Sequence, residues 1–205
     1  MSLRPSEPFV GSVVLVEPLV ERHRGGLRAA MEESPEIFRY MAFPGFEQWF
    51  ERALAVETEI PFTVVVGSRE VGSTRYLNIE PDHRRVEIGW TWLVRSEWGS
   101  GANVETKLLL LEHAFERWGA MRVEFKTDAR NLQTRGSLLA LGARFEGVFR
   151  KHMLLPSGVR DSAWYAIVDD DWLAVKLRLQ RRLARRRGPA EAGPTGARRV
   201  SGSRR

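Results

Sequence analysis

Two glycines in the run Trp98-Gly99-Ser100-Gly101-Ala102-Asn103 mark the stretch of this sequence best suited to chemistry. Glycine lets the backbone turn several N–H groups toward one point. A helical pattern begins directly behind the run, and a helix start adds unpaired N–H donors and the positive end of its dipole. Such a loop suits a phosphate or pyrophosphate, although the same residues also fit an ordinary connection. Other chemistries fail on spacing. No Gly-Lys-Ser/Thr ending is present, and Val104 stands where a dinucleotide fingerprint counted from Gly99 needs glycine. His23, His83, His113 and His152 lack metal-ligand spacing, so no metal is expected, and no G-x-S-x-G nucleophile elbow occurs. The absence of cysteine excludes disulfides, thiolate metal sites and a cysteine nucleophile.

The chain has 205 residues, 43% of them hydrophobic, with seven Trp and ten Phe, enough to build one core. Its net charge of +6 invites thoughts of nucleic acid, but the charge is uneven. Residues 176–205 hold 11 of the 32 basic residues and one acid, Glu191, which leaves 21 basic against 25 acidic residues, a net of −4, in 1–175. No apolar run approaches the roughly 18 residues of a membrane span. Arg4, Glu7 and two prolines precede any apolar stretch, unlike a signal peptide. With no cysteine, a cytoplasmic location is expected.

The elements that must position the loop follow from periodicity. Strands are expected at 12–17, 62–66, 71–79, 85–94, 122–127, 145–152 and 160–168, the last two around a Pro156-Ser157-Gly158 turn. In the fourth, Val86, Ile88, Trp90 and Trp92 alternate with Glu87, Gly89, Thr91 and Leu93, and in the fifth Glu124 and Lys126 share the face opposite Val123 and Phe125. Helices are expected at 21–31, weakened by Gly25 and Gly26, and at 46–57, 104–118 and 131–141, with Asn131 as N-cap of the last and Gly142 closing it. A basic helix is expected from about Asp171 to Arg187, with Trp172, Val175, Leu179 and Leu183 on one face. This order implies a mixed α/β (α+β) fold with helices on both faces of the sheet. The expected boundaries are 1–172 for the folded unit, 173–187 for a basic helical extension and 188–205 for a disordered Arg-rich tail.

Four ordered blocks carry a family resemblance: Glu87-Ile-Gly-Trp-Thr-Trp; Trp98-Gly-Ser-Gly-Ala-Asn-Val-Glu-Thr-Lys followed by four leucines; Arg122-Val-Glu-Phe-Lys-Thr-Asp-Ala-Arg-Asn; and Leu141-Gly-Ala-Arg-Phe-Glu-Gly-Val. Together, over about residues 10–172, the chain resembles the GNAT N-acetyltransferase superfamily and, within it, the RimJ/RimL-like branch. The resemblance implies a twisted, mostly antiparallel sheet with two splayed strands between which acetyl-CoA, or another acyl-CoA, inserts. It also implies direct transfer to a primary amine, either a protein N-terminus or a small molecule. The family's pyrophosphate loop reads Gln/Arg-x-x-Gly-x-Gly/Ala; those positions fall here on Trp98, Gly101 and Asn103, so only Gly101 conforms. Asn103, Glu105 and Lys107 match a variant of the branch.

On that resemblance, Trp98, Gly99, Ser100, Gly101, Ala102 and Asn103 form the phosphate site and Asn131 reaches the pantetheine arm. Glu87 is the candidate general base, or else the solvated side of a half-buried strand. Thr134 is the candidate proton donor to the departing thiolate, or else a first-turn threonine bonded to its own backbone. The amine side, at 22–48 with Arg39, Tyr40, Phe43 and Phe46, carries no readable acceptor code. Two further readings stay open: a catalytically weak acyl-CoA-binding or regulatory module, and nucleic-acid or ribosome binding through the basic tail, an acidic partner in either case. A dimer is also compatible with the sequence.

Overall fold

A β-branched run needs partners for its backbone, and the computed structural model, which describes residues 3–155 and 158–186, shows where each run finds them. The strands are β1 (Phe9–Val10), β2 (Leu15–Pro18), β3 (Ile60–Val66), β4 (Arg69–Glu80), β5 (Arg85–Leu93), β6 (Arg122–Asp128), β7 (Arg144–Leu155) and β8 (Gly158–Val168). The helices are α1 (Arg24–Glu33), α2 (Phe46–Ala55), α3 (Ala102–Glu112), α4 (Leu132–Leu141) and α5 (Asp169–Arg186). All eight strands join one sheet in the order β1-β2-β3-β4-β5-β6-β8-β7. Every neighbouring pair is antiparallel except β5 and β6.

The sheet is covered on both faces, and β4 shows how. It is buried without alternation from Val71 to Leu77, as a strand sandwiched between helices must be. Tyr76 donates its hydroxyl proton to the carbonyl of Leu110 in α3, at 2.5 Å. Its neighbour Arg75 points the other way, its guanidinium 5.7 Å from the Trp49 ring of α2. So α3 and α2 lie on opposite faces. Tyr165, Phe50, Phe62, Leu27 and Leu111 are among the fully buried side chains of the core they enclose.

The observed elements extend or amend several expected ones. The first expected strand, at 12–17, is shorter at its start: β2 begins at Leu15 and ends at Pro18, opposite Phe62. The first helix starts as a 3-10 turn at Glu21–His23 and tolerates Gly25 and Gly26 within α1. A 3-10 segment at Pro35–Tyr40 was not foreseen, and α3 continues through a π-helical turn at His113–Trp118. The expected polar face of β6 is not solvated: Glu124 is buried beneath ion pairs with Arg122 and Arg85.

The alternation expected along β5 holds only in its first half. Ile88 stands opposite Tyr76, on the α3 side, whereas Trp92 stands opposite Ser73 and packs on Trp49 and Phe38, on the α2 side. A bulge at Trp90, whose φ is +49°, supplies the extra residue that reverses the faces. Gly72 makes room for it: a Cβ there would stand 2.1 Å from the Trp92 carbonyl oxygen.

The basic C-terminal segment folds as α5, starting two residues before Asp171. Trp172 stacks on Phe115 at 5.1 Å and donates its indole N–H to Glu116. Lys176 pairs with Glu112 and Glu116, and Leu179 and Leu183 are buried. The Pro156-Ser157 part of the expected turn and the tail from residue 187 lie outside the described residues.

Candidate active site

Strands β5 and β6 stay in register only from Arg85 to Glu87, against Arg122 to Glu124, and then part. Beyond Glu87 the β6-facing edge of β5 has no strand partner among the described residues. A cavity of about 620 Å³ fills the gap, walled by Ile88 to Leu93 of β5, Phe125 to Thr127 of β6, and the first turn of α4. An unpaired strand edge inside a cavity offers alternating N–H and C=O groups to an extended ligand with amides of its own.

At one end the cavity meets the glycine loop. Gly101 has φ +109°, a left-handed conformation that side chains rarely adopt, and it places the start of α3 toward the cavity. Trp98, Gly99, Gly101 and Asn103 line the cavity wall. Ser100 instead braces the loop: its Oγ donates to the Glu97 carbonyl at 2.9 Å and accepts from the Ala102 N–H at 3.0 Å. Ala102 is fully buried and its N–H is thus spent, while the N–H groups of Gly101, Asn103 and Val104 have no partner among the described residues. Unpaired donors at the positive end of a helix are a geometry that can hold an anion. Trp98 adds no donor to it, because its Nε1–H goes to the Leu93 carbonyl at 3.1 Å.

The loop has a second support that the sequence did not announce. Glu105, one turn into α3, accepts from Ser12 Oγ at 2.6 Å and from the N–H groups of Val13 and Val14 at 2.6 and 2.8 Å. These bonds hold its carboxyl below the usual range against the opposing effect of burial.

Toward the other end stand the titratable groups. Glu87 lines the cavity yet is only 1% exposed, and its Oε2 accepts from Asn78 Nδ2 at 2.7 Å and Lys126 Nζ at 2.8 Å. Burial raises the Glu87 carboxyl above the usual range; Lys126 and Asn78 pull the other way without cancelling it. Asn78 reaches Glu87 from a second bulge, where its own φ is +49°. So Glu87 is not the solvated side of a strand, and Lys126 and Asn78 are partners that strand alternation alone did not pair with it.

Lys107 also lines the cavity, from α3, and was read from the sequence only as part of a loop variant. Its Nζ donates to Thr91 Oγ1 at 2.5 Å and lies 3.4 Å from Thr74 Oγ1, with the two hydroxyls 2.8 Å apart. It has no carboxylate partner among the described residues, and burial pulls its ammonium down to about 7. Asn131 caps α4 by accepting from the Thr134 N–H at 3.0 Å, and both residues line the cavity. The Thr134 hydroxyl itself makes no hydrogen bond among the described residues. The structure therefore brings Glu87, Asn131, Thr134 and the loop residues Trp98, Gly99, Gly101 and Asn103 to one cavity, whose lining does not include Ser100 or Ala102.

An open, mostly antiparallel sheet whose central strands part beside a glycine loop at a helix start is the architecture of the acyl-CoA-dependent N-acyltransferases. The acetyltransferase (GNAT) domain family matches residues 14–144, and the chain belongs to that family. It is an N-acetyltransferase by fold and family. A protein from T. thermophilus, provisionally described as an acetyltransferase, is 37% identical over 86% of this chain and 97% of its own, with a TM-score of 0.79. A GCN5-related N-acetyltransferase from Brucella melitensis is 27% identical over 88% of this chain and 86% of its own, with a TM-score of 0.83. RimL, the ribosomal L7/L12 alpha-N-protein acetyltransferase in complex with coenzyme A, shares the fold at 18% identity over 80% of this chain and 99% of its own, with a TM-score of 0.71. No curated protein matches the chain. Among the described residues no helix is long and apolar enough to cross a membrane.

Proposed function

We propose that this protein moves an acetyl group from acetyl-CoA to a primary amine by direct attack, with both substrates bound at once. The observation that carries this reading is the single cavity joining the unpaired amides of the Gly101 loop to the carboxylate of Glu87 along the open edge of β5. The residues suit acetyl-CoA: an anion site for its pyrophosphate, an amide-bearing strand edge for its pantetheine arm, and a gap between β5 and β6 for the acyl end.

In the reaction, Glu87 accepts a proton from the substrate ammonium, directly or through one water. The freed nitrogen lone pair attacks the thioester carbonyl, the new C–N bond forms, and the C–S bond breaks. The thiolate takes the Thr134 hydroxyl proton, the second proton that the nitrogen sheds in becoming an amide restores that hydroxyl through water, and Glu87 releases its own proton to solvent. A carboxyl raised by burial is the better base near neutral pH, since proton-transfer efficiency rises as its pKa approaches the operating pH. RimL is described as an N-terminal protein acetyltransferase, and a protein N-terminus is accordingly the first acceptor to try.

The test is release of the CoA thiol from acetyl-CoA in the presence of a peptide with a free N-terminal serine and, separately, of spermidine. Thiol release with one of them, and double-reciprocal plots that intersect, are expected. Binding of acetyl-CoA without amine-dependent release would leave the chain as an acyl-CoA-binding module. Parallel plots would rule out direct attack.

A further inference from the structure

The arginines of α5 are placed where an anion must come. Arg178, Arg181, Arg182, Arg185 and Arg186 surround, together with Ala140 of α4, a depression that adjoins the loop end of the cavity. Arg182 and Arg186 belong to both spaces, lining the cavity beside Gly99, Gly101 and Asn103. The approach is close: a Cβ on Gly101 would stand 3.6 Å from Arg186 Cδ and 3.6 Å from Leu183 Cδ2. Burial of Leu179 and Leu183 fixes which face of α5 meets α3, so the arginines do not swing free of the loop.

These five cations are also unneutralised. Arg24, Arg122 and Lys176 each have carboxylate partners, whereas none of the five has one among the described residues. Among the described residues Arg182 makes one hydrogen bond, a long one from Nη1 to the Ala140 carbonyl at 3.4 Å. Like charges three and four residues apart on a helix repel, and the C-terminal end of the dipole offsets only part of that cost. A multiply charged anion held among them would turn the repulsion into binding, and guanidinium groups match phosphate oxygens bidentately.

We propose that the Arg182 and Arg186 guanidiniums clamp the nucleotide phosphates of acyl-CoA, with the ribose 3′-phosphate seated in the arginine-lined depression between α4 and α5. This rests on the acyltransferase reading above, because the nucleotide must arrive by way of the Gly101 loop. The pyrophosphate lies on the loop amides; the next phosphate along the molecule is the one on the ribose, and the nearest unpaired cations beyond the loop are these.

The test is calorimetry of the full chain and of an Arg182→Ala/Arg186→Ala variant with CoA and with 3′-dephospho-CoA, at low and at moderate salt. Neither arginine is among the buried side chains of α5, and thermal melts check that the variant stays folded. Wild type should bind CoA about tenfold or more tightly than 3′-dephospho-CoA, a preference of the size that hydrogen bonds to charged groups supply. In the variant that preference should collapse to within about threefold, and the salt dependence of CoA binding should weaken. Equal binding of the two nucleotides by wild type, or an unchanged preference in the variant, overturns the clamp while leaving the acyltransferase reading intact. Failure of wild type to bind either nucleotide overturns both. Tight binding of a single-stranded RNA oligonucleotide through the same arginines, undisturbed by excess CoA, would assign the surface to nucleic acid instead.

Discussion

Glu87 and Lys107 are two buried ionisable groups in one cavity, and burial pushes both toward their neutral forms. For Glu87 this favours work as a base. Glu87→Gln keeps the side chain's shape while removing proton acceptance, so kcat/KM should fall about 100-fold or more, most steeply below neutral pH. The pH–rate profile checks this, and an unaltered profile would remove Glu87 from the mechanism. For Lys107 the consequence is a linkage. Its folded pKa is about 7 while the unfolded chain keeps the ordinary value of about 10.4, so between those pH values the unfolded state binds a proton that the folded state lacks. This contribution to stability therefore rises with pH across that window, and the full penalty is felt below it. Lys107→Met should flatten the rise and raise stability at pH 6.5, as urea unfolding from pH 6.5 to 9 will report; an unchanged slope would mean that Lys107 is not the source. Glu87 was visible in the sequence because it precedes the loop on a strand. Lys107 was not, because a helix covered all round, with Glu105, Thr106 and Lys107 all buried, has no polar stripe to betray a cation turned inward.

At the scale of elements, the bulge at Trp90 and the glycine loop shape the cavity. Simple alternation described the first half of β5 and failed in the second, since one extra residue reverses every face after it and leaves no mark in a hydrophobicity pattern. The parting of β5 from β6 was likewise implied only by family resemblance, because pairing between distant strands has no local signal. Gly101→Val would impose a β-branched side chain at φ +109° and crowd Leu183 and Arg186. Acetyl-CoA affinity should drop at least tenfold; calorimetry showing wild-type affinity would mean the phosphate site lies elsewhere. Glu105 ties α3 to the β1–β2 turn through Ser12, Val13 and Val14. Glu105→Ala leaves one buried and one half-buried N–H group in search of partners and should cost about 1–3 kcal/mol in denaturant unfolding. A loss under about 0.5 kcal/mol, the range of ordinary surface changes, would show that the turn holds without it.

For the molecule as a whole, the net charge divides as the sequence arithmetic suggested, but the helical part of the basic end is not an appendage to the fold. Along α5, Trp172, Val175, Leu179 and Leu183 are buried in the same core as α3. Burying each of the three aliphatic side chains is worth about 1.5–3 kcal/mol, and Trp172 adds to that, a sum comparable with the net stability of an entire domain. A chain ending at Asp170 should therefore fail to melt cooperatively, while one ending at Gly188 should keep the wild-type melting temperature. Equal melting of both would make α5 dispensable. The apolar spacing of α5 was legible in advance; its docking against α3 was not, since periodicity shows that a face is apolar and not what covers it.

The central claim is that one continuous cavity holds acetyl-CoA from the Gly101 loop to the parting of β5 and β6. A crystal structure with acetyl-CoA bound tests it most directly. The account predicts pyrophosphate oxygens within about 3.2 Å of the Gly101, Asn103 or Val104 N–H groups, and the thioester in the gap that Glu87 and Thr134 both line. Phosphates bound away from that loop, or an acyl chain lying outside the gap, would contradict it.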